Sequence, residues 1–364
     1  MISKSIAIID HVGCKAGMDS YSGSLANGFL QNGVRCFLFS NFKEEGAENF
    51  LFFRKKKGSK FSSVLNQILP FWKAGRICKK ENIHECIIHI FSYEIKDVFA
   101  LRILRFWGLK IIAIVHDVEH LADKENTYRK KILERYCDQI MVHNTFSKKA
   151  LLQAQATLAK KVKVIPHMNF HNLPSSISKE KAREQWDMSN NKYLLFFGQI
   201  KDAKGLDVLL EAMQHVSEDV HLIIAGRVWQ TTFDTYQQKI EDFQVQHRVT
   251  THIRFVTDEE RDELFTACDA IVLPYKKIYQ SGVMQVAMSY KIPIIASDIP
   301  PFKEMLGENE FGYLFESENS NVLADRINYF AEHASEAIEK TKKAYDLAAT
   351  RFSEKYIANE IINW

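Results

Sequence analysis

Short apolar runs alternate with amphipathic stretches along the first half of the chain. The runs are too short for buried helices and predict strands, whereas the intervening stretches carry apolar residues at helical spacing. The predicted strands are Ile6–Ile9, Val34–Phe39, Glu85–Phe91, Lys110–Val115, Gln139–Val142 and Lys163–Ile165, and the clearest helices are Tyr21–Gln31, Asp97–Phe106 and Thr127–Tyr136. Short strands separated by helices predict a doubly wound parallel sheet, an α/β fold.

The same alternation begins again after a polar, turn-rich segment that follows Pro166. The predicted strands are Tyr193–Phe197, His221–Ala225, Ile253–Val256, Ala270–Leu273 and Ile292–Ala296, and the helices include Leu206–His215, Glu259–Cys268, Asn321–Phe330 and Ser335–Ala349. We therefore predict two Rossmann-like domains, 1–170 and 171–349, followed by a terminal helix over 350–364. Ligands of such folds bind at the carboxyl ends of the strands, so we expect the domains to face each other across a cleft.

The composition is that of a soluble protein with two buried cores. The chain has 364 residues, of which 46% are hydrophobic and 26% charged, as is typical of globular domains. No apolar run approaches the roughly 20 residues of a membrane span. The N-terminus lacks the features of a secretion signal, so we expect a cytoplasmic protein. The six cysteines include no C-x-x-C pair and are expected to be reduced core residues, neither a metal site nor disulfides.

Charge is distributed unevenly between the two halves. Residues 1–170 contain 27 Lys and Arg against 15 Asp and Glu, whereas residues 171–364 contain 21 against 30. The excess is strongest over residues 49–80, where aromatic residues lie among nine bases and no acid occurs: Arg54, Lys55, Lys56, Lys57, Lys60, Lys73, Arg76, Lys79 and Lys80. This pattern suits an anionic bilayer surface, but a solvated helix face has the same pattern. Nucleic acid is a third interpretation, weakened by the acidic second half.

Two loops of the second half carry groups suited to an anion. Ser281 and Gly282 open a predicted helix after the strand Ala270–Leu273, and a helix N-terminus favours a bound phosphate. The same pair is also common in an ordinary strand-to-helix connection. Lys201 and Lys204 flank a tight loop directly after the strand Tyr193–Phe197. They are expected to project toward the mouth of the cleft, although a solvated basic loop is the simpler alternative.

Several of these segments together resemble a known enzyme family, in the same order along the chain. The segments are AGMDSYSGSLANGFLQNGV (16–34), VHDVEHL (115–121), VIPHMNF (164–170), FFGQIKDAKGLDVLLEA (196–212), LIIAGR (222–227), YQSGVMQVAMSYKIPIIASD (279–298) and FKEML (302–306) with Gly312–Phe315. They are similar to the glycosyltransferases of GT-B architecture, in particular the large retaining family 4. The resemblance covers nearly the full length. It implies two Rossmann-like domains and a terminal helix that packs back on the first.

The resemblance implies a donor-binding role for much of the second domain. Lys201 and Lys204 would hold the diphosphate of a nucleotide sugar, because cations stabilise the charge that develops on the leaving group. Ser281 and Gly282 would supply a hydroxyl and backbone N–H groups to the same diphosphate. Arg227 would reach phosphate or ribose, with a surface salt bridge as the alternative. The remaining predicted donor-binding residues of this domain are Gly198, Val256 in the base-facing segment, Gln280, Val283 and Gln285.

In the first domain the resemblance singles out Gly17 and His116. Gly17 belongs to a loop that lets the backbone approach the donor phosphate or the acceptor. His116 follows the strand Lys110–Val115, where the family has a histidine near the transferred sugar, so it is the predicted catalytic residue. A structural role for His116 remains open, with Asp117, Glu119 and His120 as substitutes. His167 is expected to be structural.

One departure from the family concerns its usual E-x7-E pair, which appears here as Lys277 and Gln285. Gln285 retains hydrogen-bonding groups for a ribose, but Lys277 cannot replace a carboxylate. A branch of the family carries a Q-S-G loop at this place, which Gln280–Gly282 resembles. The chain contains no D-x-D sequence, and its histidines and cysteines do not cluster in sequence, so we expect neither a metal nor another cofactor.

Together with the resemblance, which implies retention, these observations predict a cytoplasmic, metal-independent hexosyltransferase with a nucleotide diphosphate sugar as donor. Its acceptor would be a hydroxyl of a glycan or lipid-linked molecule in polysaccharide or glycoconjugate biosynthesis, with peripheral contact at the inner face of the membrane through residues 49–80. The alternative is an inactive GT-B subunit that serves as partner or scaffold of another transferase. An epimerase would need acid and base carboxylates, which we cannot identify in the chain. A dehydrogenase would need a G-x-G-x-x-G motif after the first strand of a domain, which the chain lacks.

Overall fold

The computed structural model describes residues 4–14, 17–53, 62–91, 93–116, 127–170, 177–230 and 232–364. Asp117, Glu119 and His120 lie outside the described residues, as do the bases Arg54 to Lys57 and Lys60. The chain divides into two compact units. Unit 1 comprises Met1–Phe170 and Arg351–Trp364, and unit 2 comprises His171–Thr350.

Unit 1 is built on a parallel sheet. Among the described residues its strands are β1 (Ser5–Ile9), β2 (Arg35–Phe39), β3 (Glu48–Phe50), β4 (Glu85–Ile90), β5 (Lys110–Val115), β6 (Gln139–Val142) and β7 (Val162–Val164). Their order across the sheet is β3-β2-β1-β4-β5-β6-β7. The order reverses beside β1, as in a doubly wound sheet, so the carboxyl ends of β1, β4, β5, β6 and β7 are neighbours at one edge.

Helices connect these strands. They are α1 (Met18–Gln31), α2 (Ser62–Lys80), α3 (Ile95–Phe106), α4 (Thr127–Lys130) with a π-helical continuation (Lys131–Tyr136), and α5 (Thr145–Ala154). Side chains of α1 such as Leu25 and Phe29 pack with strand residues such as Ile8 and Leu38 in the buried core. This burial of apolar strand and helix faces is the main stabilising term of the unit.

Unit 2 repeats the architecture with a second parallel sheet. Its strands are β8 (Lys192–Phe197), β9 (Val220–Ala225), β10 (Val249–His252), β11 (Ala270–Leu273), β12 (Ile294–Ser297) and β13 (Tyr313–Phe315), in the order β10-β9-β8-β11-β12-β13. Its helices are α6 (Lys179–Gln185), α7 (Leu206–Ala212), α8 (Asp234–Asp242), α9 (Asp258–Ala267), α10 (Gly282–Ser289), α11 (Pro300–Leu306), α12 (Ser320–Glu332) and α13 (Ala334–Arg351). Two Rossmann-like sheets confirm the predicted fold class.

Three edge strands differ from the sequence-based prediction, and one of them, β13, was not predicted although it is buried. The predicted strand Ile253–Val256 is irregular, and the strand lies at Val249–His252. β10 pairs only with β9 among the described strands, and Thr250 and Thr251 are exposed. The strand therefore lacks a continuous apolar run. The short edge strand β3 was not predicted for the same reason, since its residues are exposed or half-buried.

The last helix, α14 (Glu354–Ile362), belongs to unit 1 and packs against α1. Ile357 and Ile361 enter the core of unit 1. Asn27 Nδ2 donates a hydrogen bond to Glu354 Oε2 at 2.6 Å, and a Cβ added at Gly28 would lie 2.3 Å from the carbonyl oxygen of Glu354. The close approach of the two helices thus requires glycine at position 28. None of the helices in the described part of the chain has the length and apolarity to cross a bilayer.

Candidate functional site

The loop after β8 is held at the carboxyl edge of the unit 2 sheet by glycines and backbone hydrogen bonds. Gly198 N donates to Ala225 O at 2.9 Å, and Ile200 N donates to Arg227 O at 3.0 Å. A Cβ at Gly226 would lie 1.8 Å from Gly198 O, so position 226 must be glycine for the two chains to approach. The hydrogen bonding between these two chain segments thus continues beyond β8 and β9 as far as Ile200. Lys201 follows it at the edge of the sheet.

A short 3₁₀ turn, Asp202–Lys204, joins this loop to the loop after β11. Gly205 has a left-handed φ of 66°, and a Cβ there would lie 1.8 Å from Pro274 O. Lys276 N donates to Ala203 O at 3.0 Å. The Lys276 ammonium also pairs with Asp202 at 2.9 Å and Asp207 at 2.8 Å. Both acidic side chains near the turn are therefore engaged by Lys276.

Lys201 and Lys204 are left without such a partner. Neither side chain forms an ion pair with a carboxylate of the described residues. Lys204 Nζ lies 3.6 Å from the centroid of the Tyr275 ring, a cation–π contact that compensates part of the lost hydration. Burial lowers the pKa of Lys204 well below its usual value, and the charge of Lys201 acts in the same direction. Two lysines without a carboxylate partner among the described residues, both at one strand end, are suited to an anion, whose charge would favour the protonated form of Lys204.

The N-terminus of α10 lies beside this loop. A Cβ built at Gly198 would be 3.5 Å from Val283 Cγ2, so the β8 loop and the first turn of α10 are neighbours. Ser281 is the N-cap residue, and its side chain accepts a hydrogen bond from Met284 N at 3.3 Å. A Cβ at Gly282 would meet no atom within 4 Å, so the start of the helix is open on that side. The structure thus brings together Gly198, Ser281, Gly282 and Val283.

Tyr275 contacts Lys204 through its ring, and the sequence analysis did not identify it. The residue is 1% exposed, and burial raises the pKa of its hydroxyl. Ser297 Oγ, at the end of β12, donates to Tyr275 O at 2.5 Å. The only signal in the sequence was an aromatic residue directly after Pro274, which by itself does not indicate a partner for Lys204.

The other predicted donor residues have different environments. Gln285 is 0% exposed, its Nε2 lies 3.6 Å from Met305 Sδ, and its Oε1 has no hydrogen-bond partner among the described residues. Gln285 thus lies on the buried side of α10, with Met284, Ala287 and Met288. Gln280 is half-buried in the loop before α10. Arg227 is exposed and forms no salt bridge with the described residues.

Val256, in the predicted base-facing segment, is half-buried just before α9. The segment is anchored at its end by a capping box, in which Thr257 N donates to Glu260 Oε2 at 2.9 Å. Arg254 also pairs with Glu260 at 2.6 Å. A separate cavity of about 370 Å³ lies next to Lys201, and its other lining residues are Asp202, Asp207, Trp229, Thr235, Tyr236 and Lys239. Among the predicted site residues only Lys201 lines this cavity.

The carboxyl edge of the unit 1 sheet contains four buried histidines. His89 lies in β4, and His116, His143 and His167 follow the ends of β5, β6 and β7. They surround Tyr21 of α1, whose ring centroid is 5.0 to 5.7 Å from those of the imidazoles. The predicted catalytic residue His116 therefore belongs to a cluster, which we call the histidine cluster. The described residues include no group of three or more His, Cys, Asp or Glu arranged to hold a metal ion.

Burial keeps these imidazoles neutral. Burial lowers the pKa of His143 to about 3 and that of His167 to about 4. It also lowers the pKa of His89. The pKa of His116 is well below its usual value because of burial and the neighbouring histidines. His167 Nδ1 lies 2.7 Å from Met168 O, and His143 Nδ1 lies 3.0 Å from Ile165 O.

A chain of hydrogen bonds links His116 to Asp10, at the end of β1. Ser22 Oγ donates to Asp10 Oδ2 at 2.7 Å and lies 2.9 Å from His89 Nε2. His89 Nδ1 lies 2.8 Å from His116 Nε2. Phe91 stacks on the His116 ring, with centroids 4.6 Å apart and planes 6° apart. The sequence analysis missed Asp10, Ser22 and His89, although a histidine near the end of each of four strands was a visible signal.

Gly17 precedes α1, on the same side of unit 1. It is the N-cap residue with a left-handed φ of 75°, and its carbonyl accepts the hydrogen bond of Tyr21 N at 3.1 Å. No atom lies within 4 Å of a Cβ built there. The constraint on this position is therefore the backbone conformation, which glycine adopts without cost.

Comparison with known proteins relates unit 2 to one enzyme family. Residues 178–347 match the family model for glycosyl transferases group 1. The chain is 24% identical over 196 residues to spore coat protein SA of Bacillus subtilis, covering 51% of this chain and 52% of that protein, so the match spans about half the length of this relative. It is 21% identical over 325 residues to an uncharacterized 41.2 kDa protein in the cps region of Klebsiella pneumoniae, covering 87% and 86%.

Solved structures show the same fold over the whole chain. HepE of Anabaena, crystallised with UDP and glucose, has a TM-score of 0.77 and 19% identity, with 99% of this chain and 98% of HepE covered. A glycosyltransferase from Rickettsia africae has a TM-score of 0.78 and 17% identity, with 100% and 98% covered. The two Rossmann-like sheets therefore define a protein of the GT-B fold.

Proposed function

We propose that the protein is a retaining glycosyltransferase that transfers a hexose from a nucleotide diphosphate sugar to a hydroxyl of a glycan or lipid-linked acceptor. The observation that carries the proposal is the pair Lys201 and Lys204, without carboxylate partners among the described residues, beside the open N-terminus of α10. The group 1 family match of residues 178–347 supports it. The HepE structure contains UDP and glucose, which makes a uridine nucleotide the first donor to test.

In the proposed mechanism, this site stabilises the negative charge of the leaving group. As the glycosidic bond breaks, negative charge grows on the diphosphate, and Lys201 and Lys204 stabilise it together with the first N–H groups of α10. Lys204 is held over Tyr275, so its ammonium is positioned before the substrate arrives. We propose that these groups take the place of a metal ion. His116 of unit 1 would contact a hydroxyl of the transferred sugar.

The test is a calorimetric titration of UDP, GDP, TDP and ADP, each with and without EDTA. We expect one nucleotide to bind in EDTA and to raise the melting temperature by mass action. Lys201→Ala/Lys204→Ala should abolish that binding, because it removes both cations. Lys342→Ala is the matched control, since Lys342 is exposed on α13. Binding that needs a divalent metal, or that survives the double substitution, would contradict the proposed mechanism.

A second candidate function is an inactive GT-B subunit that supports another transferase. The departure from the usual E-x7-E pair favours it, because Lys277 and Gln285 stand in place of the two carboxylates. Absence of binding for all four nucleotides would make this the better interpretation. The open start of α10 at Gly282 and the nearby Lys201 and Lys204 favour the active enzyme.

We also propose that α2 and α3 form a peripheral membrane surface at the inner face of the membrane. Trp72 of α2 stacks on Phe106 of α3, with centroids 5.5 Å apart, and both side chains are exposed. The other exposed apolar residues on these helices are Leu69, Ile95 and Phe99, and the exposed bases include Lys73, Arg76, Lys79, Lys80 and Arg102. Exposed rings beside bases suit an anionic interface.

Vesicle flotation tests this surface. The protein should float with vesicles that contain anionic lipid, should float less as salt is raised, and should not float with neutral vesicles. Trp72→Ala/Phe106→Ala should weaken the binding. Phe255→Ala is the control, because Phe255 is the most exposed aromatic residue of the described part of unit 2, at 72%. Equal flotation with neutral and anionic vesicles, or none at all, would exclude the surface.

A further inference from the structure

The hydrogen-bonded chain from Asp10 to His116 has a fixed direction. Asp10 Oδ1 already accepts hydrogen bonds from Val12 N at 3.0 Å and Gly13 N at 2.7 Å, and Oδ2 accepts from Ser22 Oγ at 2.7 Å. A carboxylate only accepts, and a serine hydroxyl has a single proton. The Ser22 proton therefore points to Asp10, which leaves the Ser22 oxygen as an acceptor for His89.

The direction propagates through both imidazoles. His89 Nε2, 2.9 Å from Ser22 Oγ, must carry the proton of that hydrogen bond. A neutral imidazole has one N–H, and burial lowers the pKa of His89. His89 Nδ1 is then an acceptor, so the proton shared with His116 Nε2 at 2.8 Å belongs to His116. These assignments place the proton of His116 on Nε2 and leave Nδ1 unprotonated.

Packing prevents the rings from changing this arrangement. Asp10 and Ser22 are 0% exposed, His89 is 1% and His116 7% exposed. Tyr21 meets both His89 and His116 edge to face, with centroids 5.4 Å apart in each case, and Phe91 covers a face of His116. Asp10 is satisfied by Ser22 and two backbone N–H groups, and both ring nitrogens of His89 have partners in the chain, as a buried polar network requires.

We propose that Asp10, Ser22 and His89 are positioning residues that hold His116 as the Nε2–H tautomer, so that Nδ1 is the acceptor nitrogen of the ring. The proposed function gives His116 a contact with the transferred sugar, and only the turnover measurement rests on that contact. The assignment of the tautomer does not depend on it.

The first measurement uses the unmodified protein labelled with ¹⁵N at histidine. Long-range ¹H–¹⁵N spectra distinguish a protonated from a bare ring nitrogen, and His116→Gln identifies the signals of His116 by their loss. We expect His116 and His89 to be protonated at Nε2. A proton on His116 Nδ1 would overturn the proposal without any further variant.

Asp10→Asn then reverses the chain with almost no change of shape. The amide Oδ1 still accepts from the backbone at Val12 and Gly13, but Nδ2 donates to Ser22 Oγ in place of accepting from it. Ser22 must then donate to His89 Nε2, so His89 donates from Nδ1 and His116 must carry its proton on Nδ1. We expect the spectra to show both tautomers inverted. Unchanged tautomers in this variant would overturn the proposal.

Turnover of the nucleotide sugar provides the functional readout. Asp10→Asn should lower kcat about tenfold or more, because Nδ1 of His116 then donates where the native tautomer accepts, so the hydroxyl at this contact must reverse its hydrogen bond. Nucleotide affinity should not change, since the lysines lie in unit 2. His89→Asn should restore more turnover than His89→Phe, because its Oδ1 replaces Nδ1 as the acceptor for His116. Equal kcat for His89→Asn and His89→Phe would overturn the positioning role.

His143→Asn is the matched control. His143 is buried in the histidine cluster but lies outside the chain from Asp10 to His116, so its loss should lower stability and leave the tautomer of His116 unchanged. The two proposals fail in different ways. Absence of turnover in the unmodified protein would count against the proposed function, whereas the spectra would still decide the tautomer.

Discussion

The histidine cluster predicts that the protein loses stability on mild acidification. In the folded state burial lowers the pKa of His143 to about 3 and of His167 to about 4, from a usual value of 6.5, and burial lowers the pKa of His89 and His116 as well. The unfolded chain exposes these imidazoles and returns them to about 6.5. Between pH 6.5 and about 4 the unfolded state therefore binds more protons than the folded state.

The sign and size of the effect follow from proton linkage. Stability rises with pH wherever the unfolded state binds more protons, so this contribution is complete above pH 6.5 and is lost as the pH falls toward 4. One pKa unit corresponds to about 1.4 kcal/mol. For His167, a change from 6.5 to about 4 gives about 3 kcal/mol. Near pH 5 each buried histidine adds a slope of up to about 1.4 kcal/mol per pH unit.

Urea unfolding followed by circular dichroism at pH 7.5, 6.5, 5.5 and 4.5 measures this slope. The free energy of unfolding should fall steeply below pH 6.5, before most carboxylates titrate. His143→Asn should lower stability at pH 7.5 and make the pH dependence shallower, because one protonation is removed. His84→Asn is the control, since His84 is exposed in unit 1. A free energy that stays constant between pH 6.5 and 4.5 would refute the neutral, buried state of the cluster.

Three further predictions concern single positions. Gly205→Ala should weaken nucleotide binding and lower the melting temperature, because its Cβ would meet Pro274 O at 1.8 Å; thermal shift with and without UDP checks this, and full binding would contradict it. Nucleotide binding should take up protons at Lys204 where the pH exceeds its pKa, which is lowered by burial and would rise beside a diphosphate; calorimetry over a pH series in buffers of different ionisation enthalpy measures the uptake, and Lys204→Met should abolish it. Gly28→Ala should destabilise unit 1 by about 1–3 kcal/mol, because its Cβ would lie 2.3 Å from Glu354 O; unchanged urea unfolding would argue against the helix contact.

The sequence predicted most of the fold because the central strands are buried on both faces. Parallel strands covered by helices are continuous apolar runs, and β4, β5, β8 and β11 were found for that reason. The edge strands β3 and β10 were missed or displaced, because their exposed and half-buried residues form no apolar run. The edge strand β13 is buried but has only three residues, which is too short for the pattern to show a strand.

The candidate site was only partly predictable. Each of Lys201, Lys204, Ser281 and Gly282 follows a strand, and parallel strands bring such positions to one edge. Partners on other strands are not visible in this way. Tyr275 beneath Lys204, and Ser22 and His89 behind His116, are contacts between distant parts of the chain, for which local spacing carries no information. The burial of Gln285 was not predicted, because its role was taken from a family motif and not from its place on the helix.

The contact of α14 with α1 has a consequence for protein synthesis. A ribosome produces β1 to β7 first, but the core around α1 is completed by Ile357 and Ile361, which are translated after the whole of unit 2. During translation the face of α1 that packs against α14 is therefore uncovered. All strands of unit 2 are made before α14 can cover it. Until α14 is made, this exposed apolar surface makes the nascent chain prone to aggregation. Chaperone dependence is thus expected to be greatest for the half of the protein that is made first.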